Sequence, residues 1–119
     1  MQKNDSFYST AKWRKCAART LSRENYRDVV AARYGKMIQA EMVHHALPLE
    51  DFPEYAYDSR NLVPVSRATH RGLHFDNGGL TAAGVDVARR AARKIGIDVE
   101  NYLKEQRSGA RQRNDNGRY

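Results

Sequence analysis

Apolar residues recur at helical spacing in two stretches of the chain. Trp13, Cys16, Ala17 and Leu21 share one face of a helix predicted over residues 11–23, with Ser9-Thr10 as its cap. Val85, Ala88, Ala92 and Ile95 form a second stripe over 82–95, capped by Thr81 and ended by Gly96. Shorter helices are predicted at 25–34, ended by Gly35, at 67–75 behind Ser66, and at 98–106. The remaining apolar runs read as strands. Met37 to Leu49 is partly β-branched and closed by Pro48, and Leu62 to Val65 is short and wholly apolar. Between them, residues 50–60 carry one proline and four acidic side chains without a helical stripe, which makes a loop. The pattern predicts an α+β domain, mostly helical, over residues 1–106. Its core spans about 37–76, further helices follow at 81–106, and a basic tail over 107–119 has almost nothing to bury and is expected to be disordered.

Composition narrows the class. A chain of 119 residues, 40% of them hydrophobic, is one domain's worth of protein and buries roughly two-thirds of its unfolded surface. No run approaches the roughly 20 apolar residues of a membrane span, and MQKNDSFYST lacks the apolar centre of a secretory signal. Cys16 is the single cysteine, which excludes an internal disulfide, a four-cysteine zinc site and an iron–sulfur cluster. Lys and Arg number 21 against 14 Asp and Glu, a net charge of +7. That excess points to a polyanion as partner, nucleic acid first, and the chain reads as an intracellular basic protein with no membrane partner.

The chemistry concentrates in the histidines. His44 and His45 are adjacent at a predicted strand end, and His70 and His74 are spaced i, i+4 on a predicted helix. Side chains at i and i+4 share a helix face and can reach one metal ion. Adjacent residues in a strand point to opposite sides, so one of His44 and His45 can be a ligand while the other moves protons. A third imidazole added to the helical pair leaves a metal with an open position, as catalysis requires. Such a pair alone is usually a surface coincidence; the order His-His, then Asn61, then His-x-x-x-His is what raises it above one.

The runs VHHALPL, RNLVPV and THRGLH resemble the ββα-metal (His-Me finger) motif of the HNH endonucleases. Asn61 lies 16 residues after His45 and 9 before His70, spacings that suit the motif. The opening FYSTAKWRKC is similar to the start of small phage-type HNH proteins, so the resemblance covers about residues 7–75. It implies a ββα-metal core with flanking N- and C-terminal helices. Many HNH proteins frame the motif with two Cys-x-x-Cys pairs around a structural zinc. Aligned to those pairs, this chain has Asp28 and Ala31, then Ser66 and Thr69. With no thiolate, the domain is expected to hold its fold by packing alone, around residues such as Trp13, Leu21, Val30 and Tyr34.

Carried over residue by residue, the resemblance implies that His44, His70 and His74 are metal ligands. It makes His45 the general base and Asn61 the residue that pins the loop orienting it. The implied activity is metal-dependent hydrolysis of DNA phosphodiester bonds, leaving 5′-phosphate and 3′-hydroxyl ends. The implied cofactor is one divalent ion: zinc, nickel, manganese or magnesium, with imidazole ligands favouring the first three. Arg67 and Arg71, within a quarter turn of His70 and His74 on the predicted helix, are candidate DNA contacts. Arg89, Arg90, Arg93 and Lys94 form a basic face more typical of a solvated helix. The phage likeness adds the cytoplasm of a bacterial or phage-infected cell as location and the packaging terminase as partner, by analogy alone. The competing readings are a non-catalytic basic DNA-binding module and a phage accessory or inhibitor protein on the same fold.

Overall fold

The computed structural model describes residues 5–107. Six α-helices, two 3₁₀ turns (Pro53–Tyr55 and Ser59–Asn61) and one antiparallel strand pair appear among them: α1 (Asp5–Tyr8), α2 (Ala11–Arg23), α3 (Val29–Ala32), β1 (Met42–His45), β2 (Leu62–Val65), α4 (Arg67–Arg71), α5 (Ala82–Ile95) and α6 (Glu100–Arg107). Of the tail expected over 107–119, Arg107 ends α6 and the rest lies outside the described residues. Among the described residues, no helix is long and apolar enough to cross a membrane.

The two longest helices start and stop where their caps dictate. The Thr10 hydroxyl accepts from the N–H of Trp13, and that of Thr81 accepts from Gly84. Gly96, at φ 92°, closes α5 in the left-handed conformation. The antiparallel pair β1–β2 sets His44 opposite Val63 and His45 opposite Leu62. Its alternation divides the core. Val43 and Leu62 pack with Trp13 and Cys16 of α2 on one face, while Val63 and Val65 pack with Val30, Leu73, Val87 and Ala91 on the other. A third cluster joins α5 to α6 through Leu80, Val85, Ala88, Val99 and Leu103.

Three elements are shorter than the pattern predicts, each for a local reason. The helix expected at 25–34 begins only at Val29, because Asn25 (φ 55°) and Tyr26 (φ 57°) turn left-handed to end α2. The strand expected from Met37 to Leu49 is paired over Met42–His45 alone. Before it, Gln39 makes a single bridge to Arg27. The helix expected at 67–75 stops at Arg71, where Gly72 caps it and Leu73 turns into the core. The chain then pairs His74 with Leu80, so His74 stands on a tight turn rather than on the helix. Tyr34, expected in the core, is 73% exposed. The lead-in before Ser9 instead forms α1, whose Phe7 ring lies 5.3 Å from that of Trp13.

Packing is not the only restraint that stands where a zinc frame would. Asp28, 0% exposed, accepts from the N–H of Ala31 and the N–H of Ser66, both at 2.9 Å. Side-chain hydrogen bonds from Thr69 and Ser66 complete its shell. All four positions aligned with the missing cysteines therefore meet around one carboxylate, which ties the start of α3 to the start of α4. The expectation of packing alone is corrected accordingly: a buried charge with a full set of donors replaces the metal cross-link.

Burial pushes the Asp28 carboxyl up, but the donors of Ala31, Thr69 and Ser66 outweigh it and hold its pKa below the ordinary 3.8. A depressed carboxylate pKa contributes stability in full above the unfolded value and loses it as pH falls through the folded one. The resistance of wild type to urea is therefore expected to fall as pH drops below about 4, with a shallower dependence in Asp28→Asn. Asp28→Ala, which leaves buried N–H groups unpaired, is expected to cost about 2–4 kcal/mol at pH 7.

Of the described glycines, Gly84 leaves the least room for a side chain. A Cβ there would stand 2.2 Å from the carbonyl oxygen of Leu73, the residue before His74. Backbone cannot swing aside as a flexible side chain can. Gly84→Ala is expected to lower stability by about 1–3 kcal/mol in the same urea assay, although alanine is the better helix former; an unchanged midpoint would refute the contact.

Candidate metal centre

The imidazoles of His44, His70 and His74 converge. Their ring centroids lie 5.1, 5.2 and 5.1 Å apart, a nearly equilateral triangle, with interplanar angles of 64–69°. One nitrogen from each lies within 4.8 Å of the others, a span that small ring rotations close onto one ion at about 2.1 Å from each. Three elements deliver the three rings. β1 presents His44 on the face toward Val63, α4 carries His70, and the turn after it carries His74. The turn fixes the His74 tautomer, because its Nδ1–H donates to the Gly78 carbonyl at 3.2 Å and leaves Nε2 as acceptor.

The trio fits a divalent cation. His44 is 2% exposed, and its Nε2 has no hydrogen-bond partner among the described residues, an arrangement that costs free energy unless something occupies it. Burial, with the neighbouring imidazoles, pushes His44 well below the ordinary 6.5, and burial lowers His70 and His74 as well. Neutral imidazoles keep their lone pairs for a metal. Three nitrogen donors would leave a four-coordinate ion with one open position, the donor count that catalytic rather than closed structural sites use.

His45 is held apart on the opposite face of β1. Its ring stacks on Trp13 at 4.8 Å and 27°. Its Nε2–H donates to the Ala56 carbonyl at 3.0 Å, which assigns the lone pair to Nδ1, and the Tyr8 hydroxyl donates to that nitrogen at 3.3 Å. Burial lowers the His45 pKa, against the raising effect of the Ala56 bond. The result is a neutral imidazole with one accepting nitrogen. Asn61 is fully buried and takes no part in the cleft itself. Its Oδ1 accepts from Leu47 N–H at 2.6 Å, and its amide donates to the carbonyls of Leu47 and Tyr55 at 3.2 Å. Both ends of the loop between the strands are thus tied to one side chain, and the Ala56 carbonyl that orients His45 follows directly after Tyr55.

These groups line a cleft of about 550 Å³ with Tyr8, Trp13, Leu21, Glu41, Glu50 and Gly78 at its walls. Glu41 accepts from the Arg67 N–H at 2.8 Å and so fixes the start of α4 beside the cleft. Arg67 and Arg71 are both exposed on α4. The angular sector expected to hold them with both histidines contains His70 alone, since His74 has left the helix. On α5, Arg89 pairs with Glu100 and Arg90 with Asp86, so part of the basic face is engaged within the domain. The sequence singles out the four histidines and Asn61, and the structure brings His44, His70 and His74 together. Sequence reasoning missed Tyr8, whose contact with His45 spans 37 residues of chain, although the aromatic pair Phe7-Tyr8 in an otherwise polar lead-in was the available signal.

The chain matches no protein-family model and no curated protein. Among solved structures it is similar to the HNH endonuclease of the deep-sea thermophilic bacteriophage GVE2, determined with a manganese ion. The identity is 26%, the TM-score 0.56, and the likeness covers 59% of this chain and 76% of the phage protein. The paired strands, the short helix behind them and this likeness agree: the chain has an HNH-family fold.

Proposed function

We propose that the protein is a metal-dependent endonuclease that hydrolyses DNA phosphodiester bonds. The observation that carries this reading is the splitting of His44 and His45 across β1, one toward an imidazole trio and the other toward an isolated, tautomer-fixed base. A purely structural metal site needs no such second histidine. In this reading His44, His70 and His74 would hold the ion; the manganese in the GVE2 structure supports a divalent metal as the group bound. When bound, the ion supplies charge neutralisation at the phosphate and the departing 3′-oxygen.

The chain's own residues do the rest. His45 Nδ1 takes a proton from water as the water oxygen bonds to phosphorus and the P–O3′ bond breaks. The 3′-oxygen takes a proton from solvent, leaving 5′-phosphate and 3′-hydroxyl ends. Asn61 acts through position, holding the loop whose Ala56 carbonyl fixes the His45 tautomer. Arg67 and Arg71, exposed on α4, contact phosphates flanking the cut. The physiological ion is one divalent metal; three imidazoles favour zinc, nickel or manganese over magnesium.

Metal titration, plasmid nicking and unfolding with and without chelator test this. Calorimetric titration should give one ion per chain, and His70→Ala should abolish that binding. His45→Ala should bind metal nearly as wild type does yet fail to nick supercoiled plasmid; loss of metal binding in His45→Ala would mean that the roles are misassigned. Chelator should stop nicking and lower the melting temperature, by the equivalent of about 2.7 kcal/mol when free metal had stood at 100 times Kd. The helical circular dichroism signal should survive, since α2, α5 and α6 are held by apolar clusters that need no metal. Collapse of the helices on chelation would make the site structural and overturn the nuclease reading.

A further inference from the structure

The Tyr8 hydroxyl sits on the one nitrogen that the proposed chemistry needs free. The Ala56 carbonyl can only accept, so His45 Nε2 carries the hydrogen and Nδ1 carries the lone pair. A single sp² lone pair makes one good hydrogen bond. Tyr8 O–H and an attacking water therefore exclude each other at Nδ1, and the Tyr8 oxygen marks the place that the water must take. At 3.3 Å the contact is longer than the 2.7–2.8 Å of a strong O–H donor, and so yields readily.

We propose that Tyr8 is a positioning residue for the attacking water, yielding Nδ1 to it and then hydrogen-bonding to that same water. A water bridging Nδ1 and the phenol oxygen at about 2.8 Å from each requires the two to stand roughly 4.5–5 Å apart. Tyr8 reaches that separation by moving about 1.2–1.7 Å, which its setting permits. It is 41% exposed and ends a four-residue helix, and its ring rests edge-on against Phe7 at 5.2 Å and Trp13 at 5.6 Å. The hydroxyl rotor can then accept the second hydrogen of the water. With one hydrogen held by Nδ1 and the other by Tyr8, the oxygen lone pairs are left for phosphorus. The proton still goes to His45, and Tyr8 neither gains nor loses one.

This inference rests on the nuclease reading, and the experiment separates the two. Tyr8→Phe keeps the ring and its packing but removes the hydroxyl. In plasmid nicking with manganese, Tyr8→Phe is expected to lower kcat roughly 10- to 100-fold while KM, metal affinity and melting temperature stay as in wild type. A ring that served packing alone would show no change in kcat. An undiminished kcat in Tyr8→Phe beside an active wild type overturns the role of Tyr8 and leaves the nuclease reading standing. An inactive wild type with every divalent ion tried overturns the nuclease reading and this role with it. The contact itself is read without activity, by ¹⁵N NMR of the histidine rings in metal-free protein. The His45 Nδ1 resonance should move toward that of an unbonded acceptor in Tyr8→Phe, and an unmoved resonance removes the geometric basis of the proposal.

Discussion

A β-strand turns successive side chains to opposite faces, and the whole site depends on that alternation at one dipeptide. His44 and His45 are neighbours in sequence and line the same cleft, yet their rings meet different partners. His44 faces Val63 and the two other imidazoles, buried with an unpartnered nitrogen. His45 faces Leu62 and Trp13 with both ring nitrogens engaged. The strand is thus a partition. It keeps His45 out of the imidazole trio while holding it one residue from His44.

A partition of four residues is useful only if both sides are stiff, and the fold supplies stiffness from distant parts of the chain. Asp28 joins the starts of α3 and α4 through buried hydrogen bonds, so the helix bearing His70 is anchored without a zinc cross-link. The close backbone approach at Gly84 and the bond from Thr81 N–H to the Leu73 carbonyl set where the chain leaves α4, and so where His74 stands. Asn61 closes the loop on the other side. Each support is a short hydrogen bond or a backbone contact, groups whose loss is costly because they are buried.

Much of this was legible in the residues. Thr10, Thr81 and Gly96 marked the bounds of the two long helices, and Leu62–Val65 was read as a strand with its observed limits. The histidines were read as a cluster, and three of them do meet. The argument that joined His70 to His74 was the wrong one, because helical spacing does not apply beyond Gly72; a turn closed by Phe75 and Gly79 brings the rings together instead. Asp28 was seen as a missing cysteine and not as a hub, since hydrogen bonds across 38 residues leave no periodic trace. Left-handed Asn25 and Tyr26 were hidden for a similar reason: local propensity does not announce a positive φ at tyrosine.

The partition across β1 is tested most directly by ¹⁵N NMR of the four histidine rings in the zinc-loaded protein, zinc being diamagnetic. On saturation with one equivalent, one nitrogen of each of His44, His70 and His74 should take the shift of a metal-bound imidazole, while His45 keeps its Nε2–H and an uncoordinated Nδ1. A metal-bound His45, or a trio from which His44 is missing, would contradict the account.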